Sequence, residues 1–305
     1  MQTLQILRGT VYGVTAAAIW GSMYVVSDVV LQVIPPFTLL TLRILLGLAV
    51  MVLVAILSSS FKLPPRGMIG QLLIVGIVGI GFSLGAQFVG TDKSTAVNGA
   101  LVTSASPAFI VLFAVIMLRE RLTLLRLLAV ILATIGVLVI LDPAQADFSS
   151  DTFVGDMFLA IAAITWGLYS VLIRRVSIQT ALDTNMVTII AFVGGLLISV
   201  PASGLELTTR SIGIVDEGTI LGVLYLGIVS TAVAMWLWNR AFALVPATIG
   251  SLFFFAQPLS GALLAAIFLG QTMTTGLWIG GGLIVLGVLL SLWRTPRQQP
   301  APAEA

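Results

Sequence analysis

The second half of this 305-residue chain repeats the first. Residues 73–141 align with residues 224–292 without a gap, at a shift of 151 positions. Gly76 meets Gly227, Ala96 meets Ala247, Gly99 meets Gly250, Pro107 meets Pro258, and Gly136-Val137-Leu138 meets Gly287-Val288-Leu289. Nearer the start, at a slightly smaller shift, Ala16-Ala17-x-x-Trp20-Gly21 meets Ala162-Ala163-x-x-Trp166-Gly167. Two copies of one pattern must bury their apolar faces in the same way, so the fold has to be built from two similar halves.

Composition says what buries them. Apolar residues make up 59% of the chain and charged residues 9%, where a soluble domain carries about a quarter charged residues. No soluble fold hides that much apolar surface, so the chain reads as a polytopic membrane protein. Ten apolar spans follow: 10–31, 37–58, 68–90, 99–118 and 124–141, then 155–176, 185–204, 218–239, 249–269 and 276–293. Each is near the ~20 residues that cross a hydrocarbon core. Five spans per copy is an odd number, so the second copy must sit upside down relative to the first. The expected fold is an all-α membrane protein, with ten transmembrane helices as two inverted five-helix repeats around a central cavity. Inverted repeats are the architecture of alternating-access carriers. Residues 1–141 would form the first repeat, 142–154 a linker, 155–293 the second repeat and 294–305 a disordered tail rich in Pro, Ala and Gln.

Basic residues set the orientation. Arg8, Lys62, Arg66, Arg119, Arg121, Arg126, Arg174, Arg175, Arg240, Arg294 and Arg297 fall on one face, and only Lys93 and Arg210 on the other. Basic loops stay in the cytoplasm, so both termini are expected there and the linker on the opposite, periplasmic side. The first span lacks a small-residue cleavage site and begins the repeat, so it does not read as a signal peptide.

The chain has no cysteine and no histidine. That removes disulfides, thiolates, the commonest metal ligand and the side chain best suited to proton transfer near neutral pH. Paired intramembrane acids, a Ser–His pair and a zinc site are all unavailable, so an intramembrane enzyme is not expected. Neither a metal, a cofactor nor a nucleic acid is implied. Every acidic residue lies at a span end, in a loop or in the tail. A proton-coupled carrier, or an exporter of cationic drugs, would place a carboxylate near the midplane.

Polar side chains on a span face a cavity or a neighbouring helix. Arg43 is the one cation well inside a span, roughly 9–10 Å below the outer end of the second helix. Asp28 lies at a similar depth in the first. They read as a snorkelling arginine or a structural Arg–Asp pair, or else as an outer gate, Arg43 being in addition a candidate carboxylate-binding group. Trp20 and Trp166 sit near mid-span, whereas Trp236, Trp238, Trp278 and Trp293 fit an interfacial belt by position. Trp20 and Tyr24 share a face with Asp28, and Trp166, Tyr169 and Ser170 form the matching face on the sixth helix. These residues read as helix packing or as an aromatic wall to the cavity. Pro107 and Pro258 interrupt the fourth and ninth helices and free the carbonyls of Thr103 and Phe254. Thr103 and Ser106 lie beside one kink and Gln257 beside the other. Paired kinks with polar neighbours favour a substrate site over a purely structural bend. Ser83 and Gln87, one turn apart on the third span, could face the same space. Gly276-x-x-x-Gly280 reads as a packing motif, at most a weak dimer contact.

The Ala-Ala-x-x-Trp-Gly element of the first and sixth helices resembles the EamA-type branch of the drug/metabolite transporter superfamily. So do the Ser106-Pro107 and Gln257-Pro258 pairs and the glycine-rich fifth and tenth helices. The likeness runs over roughly residues 11–292 and is nearest to the YddG-type bacterial exporters of aromatic and other neutral amino acids. Several members of the branch end the fourth and ninth helices with Gly-Glu, where this chain has Arg119-Glu120 and Gly270-Gln271. The resemblance implies a cavity ringed by helices one, three, four, six, eight and nine, with the fifth and tenth at the periphery. It implies export of small neutral or zwitterionic metabolites, amino acids above all, across a bacterial inner membrane. The lack of a midplane acid suggests facilitation, by a monomer or weak homodimer. A multidrug or other metabolite exporter of the same fold, with or without proton coupling, is the alternative.

Overall fold

A computed structural model describes residues 2–58, 63–94, 96–141, 144, 149, 151–180, 182–269 and 275–292; the side chains of Tyr24 and Asp28 lie outside the described set. Among the described residues there is helix and connection but no strand. All ten expected segments are helical. The first three are Gln2–Leu31, Pro36–Leu57 and Arg66–Lys93. The fourth comes as two pieces, Ala96–Thr103 and Ser106–Leu118, and the fifth is Leu124–Leu141. The sixth, seventh and eighth are Phe153–Gln179, Thr184–Glu206 and Glu217–Leu244. The ninth has three pieces, Ala247–Gly250, Ser251–Phe255 and Ala256–Leu269, and the tenth is Thr275–Leu292. Among the described residues, six helices are long and apolar enough to cross a membrane: the first, second, third, sixth, seventh and eighth. Their outward faces carry exposed apolar side chains such as Leu53, Ile56, Leu197 and Ile220, a surface suited to lipid.

Local chemistry explains where several helices begin. Asp183 and Asp216 cap the seventh and eighth by accepting the N–H groups of Asn185 and Thr219 at 2.8 and 2.7 Å. Those bonds from Thr219 hold the exposed Asp216 carboxyl below the usual range. Two other helices are capped from a distance. Glu206, at the end of the seventh helix, accepts the N–H groups of Phe37 and Thr38 at 3.2 and 2.9 Å, and Pro36 has none to offer. Glu120, at the end of the fourth, accepts those of Ala247 and Thr248 at 2.8 and 3.0 Å. Arg119, the residue before Glu120, turns the chain there through a left-handed conformation, φ 53°.

The packing crosses between halves. The first helix lies on the eighth and ninth, and the sixth on the third and fourth. The second lies on the seventh and eighth, and the seventh on the second and third. The fifth lies on the tenth. Exchanging each helix for its counterpart five places on returns the same set of neighbours. The fifth and tenth meet at Gly136 and Gly280, where a Cβ on either would strike the other's carbonyl oxygen, and again where Gly287 faces Ala129. The index rises on one helix as it falls on the other, so the two run antiparallel. Gly280 is thus occupied within the chain, not on the outside.

Four of the helices are irregular at mid-length. The third and eighth widen into π-helix over Ile77–Ser83 and Tyr225–Val233. The fourth breaks outright at 104–105, so the expected kinked rod is two helices meeting at a corner. The ninth tightens into 3-10 helix over Ser251–Phe255, just before Gln257-Pro258. π and 3-10 segments shift the register of backbone hydrogen bonds and often mark functional sites.

Candidate functional site

Those irregular helices border one cavity, with about 440 Å³ of space unfilled by protein atoms, open solvent included. The first helix contributes Trp20 and Met23, and the third Ser83, Leu84 and Gln87. Thr103 and Ser106 flank the break in the fourth helix, and Ala162, Ala163 and Trp166 come from the sixth. Met235 of the eighth helix and Phe254 and Gln257 of the ninth complete the wall, together with Arg43 of the second. The ring of helices one, three, four, six, eight and nine is therefore joined by a seventh member, through one arginine.

The paired Trp-Gly elements have a geometric basis. A Cβ on Gly21 would strike Ser260 and the backbone at Gln257 and Gly261, and one on Gly167 would strike Phe109 and the backbone at Ile110. Each glycine is the point where its helix crosses the ninth or fourth helix at backbone distance. The tryptophan before it is thereby held against the corner of the partner helix. Trp20 and Trp166 meet edge to face, centroids 5.2 Å apart.

Trp238 does not join an interfacial belt. It is fully buried, 5.2 Å from Trp20 and 5.8 Å from Trp166 between ring centroids, and it backs both. Trp238 stands where Gln87 stands in the first repeat, a position already assigned to the lining, so the repeat itself carried the signal. Trp278 is exposed as a belt residue would be, Trp236 packs on Tyr12, and Trp293 lies outside the described residues.

Tyr169 and Ser170 do not reach the cavity. The Tyr169 hydroxyl donates to Asn239 Oδ1 at 2.8 Å, and Asn239 Nδ2 donates to Thr188 Oγ1 at 2.9 Å. Ser170 Oγ donates to the Trp166 carbonyl and accepts the Trp238 indole N–H at 3.2 Å. Through these bonds both residues brace the wall from behind. Tyr24 and Asp28 were placed on the cavity face by their spacing from Trp20, but their side chains lie outside the described residues, as does Gln271.

The carbonyl freed by Pro107 is not offered to the cavity. Ser106 Oγ donates to it, on Thr103, at 2.7 Å. Thr103 Oγ1 donates to the Gly99 carbonyl at 2.6 Å and Ser83 Oγ to the Ala162 carbonyl at 2.9 Å. The lining hydroxyls therefore present oxygen lone pairs. Two buried groups on the wall keep unused hydrogen-bonding capacity: Trp166 Nε1, a donor, and Gln257 Oε1, an acceptor. Trp20 Nε1, by contrast, donates to the Ser230 carbonyl in the π segment at 2.9 Å.

Arg43 brings a charged residue to the cavity wall. It is 2% exposed, so it does not snorkel outward, and it forms part of the wall. Other charged side chains find partners near the helix ends. Arg210 holds Asp92 at 2.7 Å, a hydrogen bond that raises the guanidinium pKa, and Asp156 accepts from Ser94 and Asn98. Among the described residues no cluster could hold a metal ion.

The EamA-like transporter family model matches this chain twice, over residues 7–142 and 153–293. A probable amino-acid metabolite efflux pump of Salmonella typhimurium is 27% identical, over 90% of this chain and 91% of that protein. A riboflavin transporter of Vibrio cholerae is 26% identical, over 66% of this chain and 64% of that protein. A solved crystal structure superposes with a TM-score of 0.77 at 23% identity, over 93% of this chain and 96% of that one, a likeness of fold.

Proposed function

The chain belongs to the EamA-like transporter family and is therefore a multi-pass membrane transporter of small molecules rather than an enzyme, and from that premise we propose that it exports neutral or zwitterionic amino acids. Aromatic and other neutral side chains are the expected cargo. The carrying observation is the cavity between the halves, walled by Trp20 and Trp166 and holding the unused polar atoms of Trp166 and Gln257. Apolar aromatic faces accommodate a side chain, and the polar atoms orient a backbone.

In this reading the two halves, 1–141 and 155–293, are inverted repeats of five spans that rock about the cavity. The exchange symmetry of the helix neighbours and the antiparallel fifth and tenth helices support it. The linker 142–154 is periplasmic, both termini are cytoplasmic, and the protein sits in a bacterial inner membrane as a monomer or weak homodimer. Transport is facilitative, driven by the substrate's own gradient, because no acid stands on the described cavity wall. A cationic-drug exporter is disfavoured by the arginine there.

Counterflow of labelled neutral amino acids in proteoliposomes, with and without a pH gradient, tests the reading. Exchange without the gradient is expected. Failure to exchange any amino acid contradicts the substrate class, and strict dependence on the gradient contradicts facilitation.

A further inference from the structure

The cavity holds a cation whose partners among the described residues are all neutral. Arg43 Nε donates to Thr231 Oγ1 at 3.0 Å. One terminal nitrogen reaches Ser230 Oγ at 3.4 Å, and both approach Met23 Sδ at 3.6 Å. The Phe88 ring lies 4.9 Å from the guanidinium carbon. A guanidinium carries five N–H donors, and thioether sulfur is a weak acceptor. A 3.4 Å separation is beyond the usual 2.7–3.2 Å of an N–H···O bond. One donor of the five is thus well satisfied, and the charge is met by sulfur, hydroxyls and a ring face. Among the described residues the one ion pair is elsewhere, between Arg210 and Asp92.

A cation taken out of water is costly unless an anion meets it in good geometry. The terminal nitrogens of Arg43 form the planar fork that accepts a carboxylate bidentately. Thr231 holds the Nε edge, and the terminal nitrogens face the sulfur of Met23, itself on the cavity wall. On the same wall, Gln257 Oε1 is buried with no partner and can accept a hydrogen bond. Trp166 Nε1 is buried with no partner and can donate one. The residues that carry cation, acceptor and donor line one cavity.

We propose that Arg43 is the carboxylate subsite of this cavity. The transported molecule docks its carboxylate on the Arg43 guanidinium and turns an adjacent N–H group toward Gln257 Oε1. Its apolar part lies against the Trp20 and Trp166 rings. The inference rests on the reading of this cavity as the transport site, and it narrows the cargo to molecules with a free carboxylate. Amides, esters and decarboxylated amines of the same size are excluded.

The test uses purified protein in detergent and tryptophan fluorescence as a direct binding signal. Phenylalanine and leucine are compared with their amides, with phenethylamine and isoamylamine, and with 3-phenylpropionate. The free acids should bind at least tenfold more tightly than their amides and amines. In Arg43→Gln that gap should collapse, and in Arg43→Lys part of it should return. Should Arg43→Gln fail to fold, the acid-against-amide comparison on the unaltered protein decides alone. Amides that compete as well as acids overturn the subsite, even if amino acids are carried. Binding of 3-phenylpropionate with Arg43 dependence, but of no amino acid, keeps the subsite and overturns the amino-acid reading. Absence of binding by every carboxylate overturns both.

Discussion

Trp20 and Trp166 occupy equivalent places in the two halves and touch edge to face, yet only Trp20 has bonded its indole N–H, to the Ser230 carbonyl. The two rings therefore have different jobs. Trp20→Phe removes a buried hydrogen bond, which costs about 0.5–1.5 kcal/mol. Trp166→Phe strands nothing. Thermal melts in detergent should show a lower Tm for Trp20→Phe than for Trp166→Phe. In counterflow, Trp166→Phe should raise the apparent KM several-fold. Equal melts would contradict the assignment.

The turn at Arg119 offers a stabilising change. A residue with a Cβ pays roughly 1–2 kcal/mol in the left-handed region, and glycine does not. Arg119 has φ 53° where its counterpart in the second half is Gly270. Arg119→Gly should raise the Tm and leave the substrate KM unchanged. A lowered Tm would mean that the guanidinium matters more than the strain.

Helix-end clasps by Glu120 and Glu206 should matter for stability and not for selectivity. Each carboxylate accepts two backbone N–H groups at the start of another helix. Hydrogen bonds to charged groups are worth about 1.5–3 kcal/mol. Glu120→Ala and Glu206→Ala should each lower the Tm, while the ranking of substrates in competition assays stays the same. A reordered ranking would place these residues in recognition.

Gly136 and Gly280 test the periphery. Gly136→Leu forces the fifth and tenth helices apart and should reduce yield and Tm. The KM of the protein that does fold should be unaltered, because neither helix lines the cavity. A changed KM would bring this pair of helices into the transport path.

Much of this arrangement was legible in the chain. The helical character of the apolar segments was readable, because apolar span length and loop punctuation are local properties. The repeat also pointed to Trp20, Trp166, Ser83, Gln87, Thr103, Ser106 and Gln257, all on the cavity wall. What local reasoning missed depends on rotation and register. Tyr169 was placed one face too far forward. The π segments in the third and eighth helices have no strong sequence signal, yet one supplies the Ser230 carbonyl that receives Trp20. Trp238 reads as interfacial only when counted from its span end; counted by repeat position it belongs with Gln87. Arg43 was visible as a charge, but its neutral surroundings come from three other helices.

The central claim is that this one cavity opens to each side of the membrane in turn. The chain lacks cysteine, so a single thiol can be introduced without removing any other. Ala163→Cys puts one on the cavity wall beside Trp166. Its labelling by an impermeant thiol reagent, applied from either side of oriented vesicles, is the direct measurement. The account expects labelling from both sides, slowed by a transported amino acid and unaffected by one that is not carried. Labelling from one side only, or at a rate no substrate alters, would contradict it.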